Sequence, residues 1–146
     1  MNNLKSAMLG VWQLKSRVDT DPSGQRKIDP ILGADPLGIL TFSNDHFAAQ
    51  FMKRDRSAAA PAPQPFQGSN NSSAVNGYDA YFGTYTVDES SGTLKTLLEG
   101  AITPSNIGSV FERHIVVRGD ELTIQLATTS ADGSAVTRTL TFSRLP

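Results

Sequence analysis

Tyr81 and Tyr85 bracket the stretch "YFGTY", with Gly83 between them. At a strand period of two, both rings and the glycine fall on one face. Two hydroxyls placed so, with space left by the glycine, suit hydrogen bonding to a carbonyl or proton transfer. They also suit two core rings whose hydroxyls reach a rim. Two arginines stand in otherwise apolar rows: Phe111, Arg113, Ile115, Val117, and Val136, Arg138, Leu140, Phe142. A guanidinium in such a row needs a partner. It can hold a carboxylate, stabilise an enolate, or pack on an indole. Glu99 is the only carboxylate of its mostly apolar strand. Its parity follows Lys95 and Leu97, toward solvent. A bulge at Gly100 would turn it inward, where burial would raise its pKa and fit it to act as a general base.

Other chemistries lack their residues. There is no cysteine, which excludes disulfides, thiolate metal sites and a cysteine nucleophile. His46 and His114 lie far apart without ligand spacing, each where surface placement is expected. No glycine loop of the phosphate-binding type and no nucleophile elbow occurs. The expectation is no metal and no cofactor. A net charge of −1 offers no basic field to nucleic acid or membrane. "KRDR", residues 53 to 56, reads as a solvated strand end. The opening "MNNLKSAMLGVWQLKS" lacks a signal-peptide pattern, and no apolar run is long enough to span a bilayer. A cytoplasmic protein is expected.

The elements that must position these groups are strands. The 146 residues suit one domain, 1–146, and 38% hydrophobic with 18% charged residues suits a turn-rich β protein. From Leu9 the chain alternates: Trp12, Leu14, Ser16 and Val18 on one face, Gln13, Lys15, Arg17 and Asp19 on the wet one. Leu37 to Ser43 and "HFAAQFMKR" form a hairpin, with Phe47, Ala49 and Phe51 on one side. Residues 57–77, rich in Pro, Ser, Asn and Ala, read as a long loop over one end, with a helical turn near its close. "AYFGTYTVDESSG", "TLKTLLEGAI", "SVFERHIVVRGDELTIQLATT" and "AVTRTLTFSRL" supply the rest. About eight strands joined by hairpins indicate an all-β sandwich or up-and-down barrel.

The first strand's "GVW" resembles the Gly-x-Trp signature of lipocalins. "DPLGILTFSNDHFAAQFMKRDR", "YFGTYTVDE" and the final "LTFSRL" resemble the bacterial and fungal lipocalin-like domain family. The resemblance implies an eight-stranded antiparallel barrel around a small hydrophobic ligand. Members often carry a histidine near Thr96; here there is none, so any role for it has no counterpart. A large ring pointing inward from the first strand would plug the barrel, so Trp12 reads as a plug, stacked on Arg113 or Arg138. Inward Trp12, Leu14, Phe42, Phe47, Phe51, Arg138 and Phe142 are the candidates to contact a ligand. Tyr81, Tyr85, Arg113 and Glu99 are the candidates to act on it.

Three functions follow. One is a cofactor-independent cyclase, isomerase or dehydratase of a biosynthetic pathway, acting on a small hydrophobic metabolite. Another is a carrier of such a molecule. The third is an interaction module whose barrel is filled by its own Phe42, Phe47, Phe51, Phe82, Phe111 and Phe142. An inward carboxylate or tyrosine pair beside an arginine would favour the enzyme, a purely apolar hollow the carrier. A homodimer is a further possibility, through an edge strand or residues 57–77.

Overall fold

The computed structural model describes residues 3–56, 75–130 and 132–146. A short helix, α1 (Leu4–Met8), precedes strands β1 (Gly10–Thr20), β2 (Arg26–Lys27), β3 (Leu37–Phe42), β4 (His46–Met52), β5 (Tyr78–Asp88), β6 (Thr93–Ala101), β7 (Val110–Arg118), β8 (Glu121–Thr129) and β9 (Ala135–Arg144). One turn of 3-10 helix, Pro104–Asn106, lies between β6 and β7. Neighbouring strands pair antiparallel in the order β2-β1-β3-β4-β5-β6-β7-β8-β9, and β1 also pairs with β9. The eight longer strands therefore close into an up-and-down barrel, with β2 an extra strand on Asp19 and Thr20 of β1. Closure leaves an inside and an outside, and period-two alternation assigns side chains to each.

Local chemistry explains the joints. Before β5, Asn76 and Gly77 take φ of 53° and 77°, and Val75 and Tyr78 exchange backbone hydrogen bonds. This is the tight turn that Asn-Gly favours, and it stands where a helical turn was expected. Residues 57–74, the bulk of the expected loop, lie outside the described residues. No described helix is long and apolar enough to cross a membrane.

Two bulges decide which side chains face inward. The pairing of β1 with β9 shifts between Leu14 and Ser16. An extra residue reverses the parity of everything beyond it. Trp12 and Leu14 point inward as expected, but beyond the shift Arg17 and Asp19 become the buried pair, 4% and 3% exposed. The expected assignment of Ser16 and Val18 to the interior and of Arg17 and Asp19 to water is thus overturned. The second shift, between Phe82 and Gly83, sets Gly100 opposite Phe82 and Leu98 opposite Gly83, leaving Glu99 as the extra residue. This bulge does not turn Glu99 inward. Leu94, Thr96 and Leu98 still alternate into the core up to it, so Glu99 stays outside. At Gly83 the backbones come so close that an added Cβ would lie 1.8 Å from the Leu97 carbonyl oxygen. Phe82 lies over Gly100 on the outer face, 55% exposed, and does not fill the interior.

The two ends of the barrel are closed differently. At one end, Trp12 and Met8 are fully buried, and the indole Nε1 donates to the Met8 carbonyl at 2.8 Å. The guanidinium over the indole belongs to Arg144, 4.2 Å from the ring centroid, and not to Arg113 or Arg138. Register is the reason: Arg144 is the cross-strand partner of Trp12, whereas Arg138 faces Asp19 and Arg113 faces Leu94. At the other end, the connection from β2 to β3 folds over the opening, with Leu32 fully buried and Asp29 4% exposed.

Candidate functional site

Inward rings leave a hollow of about 40 Å³, room for roughly three water-sized groups. Its walls include Phe42, Phe47, Phe51, Phe111 and Phe142, with Tyr81, Thr96, Arg113 and Arg138 as its polar members. Tyr81 sits amid the rings, with centroids 5.9 Å from Phe47 and 6.4 Å from Phe51 and Phe111. The Arg113 guanidinium lies 4.7 Å from the Phe111 ring and donates to the Glu112 carbonyl.

The hollow therefore brings together Tyr81, Arg113, Arg138, Phe42, Phe47, Phe51 and Phe142. It does not include the other sequence candidates. Trp12 closes the barrel end as a plug. Leu14 fills the space over Gly38, where an added Cβ would lie 3.0 Å from its own. Tyr85 is buried and its hydroxyl donates to the Ser43 carbonyl at 2.6 Å, so of the two tyrosines only Tyr81 lines the hollow. Glu99 is on the outer face, its side chain half exposed and 3.9 Å from His46.

Charges gather at the end covered by the β2–β3 connection. Arg138 grips Asp19 through Nε and Nη2, at 2.8 and 2.9 Å. Arg17 donates from Nη1 to Asp29 at 2.8 Å, and the same Asp29 oxygen lies 3.9 Å from Arg138 Nη2. Asp79, 2% exposed, precedes Tyr81 by two residues and shares its inward face. Among the described residues four buried side-chain polar atoms have no hydrogen-bond partner: Nε and Nη2 of Arg17, Nη1 of Arg138 and Oδ2 of Asp79.

Burial dominates the titration of this end. It pushes the Asp79 carboxyl up to about 7, against the pull of Arg17, the Ala80 amide and Arg138. Burial, reinforced by Asp79, lifts the Tyr81 phenol far above its usual range. Burial also lowers the guanidinium pKa values of Arg17 and Arg113, with Arg138 repelling both.

Sequence reading missed Arg17, Asp19, Asp29 and Asp79. The first two were hidden by the bulge, and Asp29 lies in a connection whose path no local pattern reveals. Asp79 was legible: it has the parity of Tyr81 and Tyr85. The inward carboxylate is thus Asp79 and not Glu99.

Among the described residues no group of three or more His, Asp or Glu is placed to hold a metal ion. No curated protein matches the chain. The model of the lipocalin-like domain family matches residues 9–145, from just before β1 to just beyond β9. With that match and a closed antiparallel barrel whose first strand plugs one end with a tryptophan, the chain belongs to the lipocalin-like domain family.

Proposed function

We propose that the barrel binds one small, largely hydrophobic molecule, its acceptor-bearing end turned toward Tyr81, Arg113 and Arg138. The observation that carries this reading is the composition of the hollow: aromatic and aliphatic walls with those few polar groups converging on it. Ligand sites are commonly built so, with apolar area for affinity and placed polar atoms for orientation. The hollow is much smaller than the roughly 300–1,000 Å³ of drug-sized sites. Its occupant is compact, or the aromatic walls swing aside to admit it.

A second reading makes the same site a cofactor-independent cyclase or isomerase. It is favoured by Asp79, a buried carboxyl near neutrality that is not on the wall of the hollow but lies two residues from Tyr81, which is. Holding a flexible substrate folded would lower the entropic barrier, and the arginines would stabilise an enolate. The carrier reading needs neither.

Ala49 lines the hollow and is 2% exposed, so Ala49→Leu tests both against a barrel meant to be full. Titrating the chain with acetophenone, followed by chemical shifts of the Tyr81 and Phe111 rings, is expected to saturate. The substitution is expected to weaken that binding at least tenfold while the protein stays folded. No saturable shift in the parent, together with a more stable variant, would mean that the interior is simply an imperfectly filled core.

A further inference from the structure

We infer that the Arg17–Arg138–Asp79 end of the barrel is an anchoring site for the carboxylate of a hydrophobic carboxylic acid, and that Asp79 takes up a proton when the anion binds. This rests on the reading that the barrel holds a small hydrophobic molecule, and it names that molecule's head group.

The two guanidiniums are used unequally. Arg138 spends its side-on fork, Nε and Nη2, on Asp19. Arg17 meets Asp29 through Nη1 alone, so the equivalent fork, Nε and Nη2, has no partner among the described residues. That fork matches the two oxygens of a carboxylate. Nη1 of Arg138 is a third donor without a partner, and Arg138 lines the hollow. A buried polar atom left unpaired forfeits its hydration with nothing in return. Arg138 is the member of this cluster that stands on the wall of the hollow, and through it a ligand held there could complete the hydrogen bonding.

Charge supports an anion. Asp79 is under the charges of Arg17 from β1 and Arg138 from β9, and acts on Tyr81 of β5; those two arginines are held by Asp29 of the β2–β3 connection and Asp19 of β1, and Arg113 of β7 acts on Tyr81 and Arg138. With all carboxylates ionised, the two arginines of this end balance its three aspartates only together with Arg113, whose charge acts on Arg138 and Tyr81. Protonating Asp79 leaves one positive charge in excess, which a carboxylate would neutralise. An incoming anion thus replaces the charge of Asp79 and avoids repulsion from it. Protonated, Asp79 also becomes a donor to the bound oxygens. Because its carboxyl titrates near 7, binding is fully available below that pH. Above it, each bound anion must bring one proton, so affinity falls about tenfold per pH unit.

The test is calorimetric titration of the full chain with 3-phenylpropionate and with its uncharged amide, from pH 6 to pH 9. The acid is expected to bind at least tenfold more tightly than the amide at pH 6. Its affinity should fall with unit slope above about pH 7, with about one proton taken up per ligand at pH 8, read from buffers of different ionisation enthalpy. Asp79→Asn, nearly isosteric, should flatten the pH dependence. Arg17→Gln, accepted only if its circular dichroism and melting are cooperative, should remove the preference for acid over amide. Equal binding of acid and amide, or a pH-independent affinity in the parent, would overturn the anchor but leave the binding function standing. Binding of neither would overturn both. A crystal structure with the acid bound elsewhere and ordered water on the Arg17 fork would also overturn the anchor.

Discussion

The two ends of this barrel are both rich in polar side chains, yet only one end is finished. At the Trp12 end every polar group of the plug has a partner within the chain. The indole donates to Met8, Arg144 donates to the Leu9 and Ala7 carbonyls at 2.7 Å, and the Tyr85 hydroxyl donates to Ser43. The Arg144 guanidinium also covers the indole face. At the opposite end, two arginines and three aspartates are buried, and four of their polar atoms have no partner among the described residues. A buried ion pair is itself a weak source of stability, because desolvation offsets most of the attraction. Leaving parts of such a network unpaired makes that end costlier still. A satisfied polar group serves the fold, whereas one left unpaired in the interior needs a further reason, and the anchor proposed above supplies one.

The contrast can be broken from either side. Trp12→Ala should be the most damaging change, lowering stability by about 4–5 kcal/mol, since it opens a large void and strands both the Met8 carbonyl and the stacked guanidinium. The denaturant midpoint measures it; a loss near that of a surface change would mean that the plug is dispensable. Asp19→Ala should cost somewhat less, about 3 kcal/mol, by leaving the Arg138 charge buried without its bidentate partner. If the same denaturant titration shows almost no loss, Arg138 has relaxed onto other groups and the charged end is softer than its geometry implies. Glu99→Gln sharpens the comparison by belonging to neither end. On the outer face it should move stability by less than about 0.5 kcal/mol and leave ligand affinity unchanged. A loss of binding in that variant would return the carboxylate role to the residue first considered for it.

Much of the wall was legible from local pattern. Phe47, Ala49 and Phe51 alternate inward, as do Phe111, Arg113 and Ile115, and Val136 through Phe142. Period two is a property of the extended backbone, so it survives without knowledge of the neighbours. Tyr81, Arg113 and Arg138 could be placed inside for the same reason. The partner of Trp12 could not, because any arginine in an apolar row is a candidate until the register of β1 against β9 is known.

The sequence by itself determined that this chain forms hairpin-joined strands, that apolar rows face one side, and that Trp12 belongs among them. Backbone geometry and turn chemistry act over a few residues, and a few residues are enough to express them. Only the tertiary structure decided which charges went inside. One extra residue near Lys15 reversed β1 and buried Arg17 and Asp19, closure set Arg138 against Asp19, and a loop returning over the opening delivered Asp29. These are pairings between segments as many as 119 residues apart, and nothing in the local pattern of either segment encodes its partner.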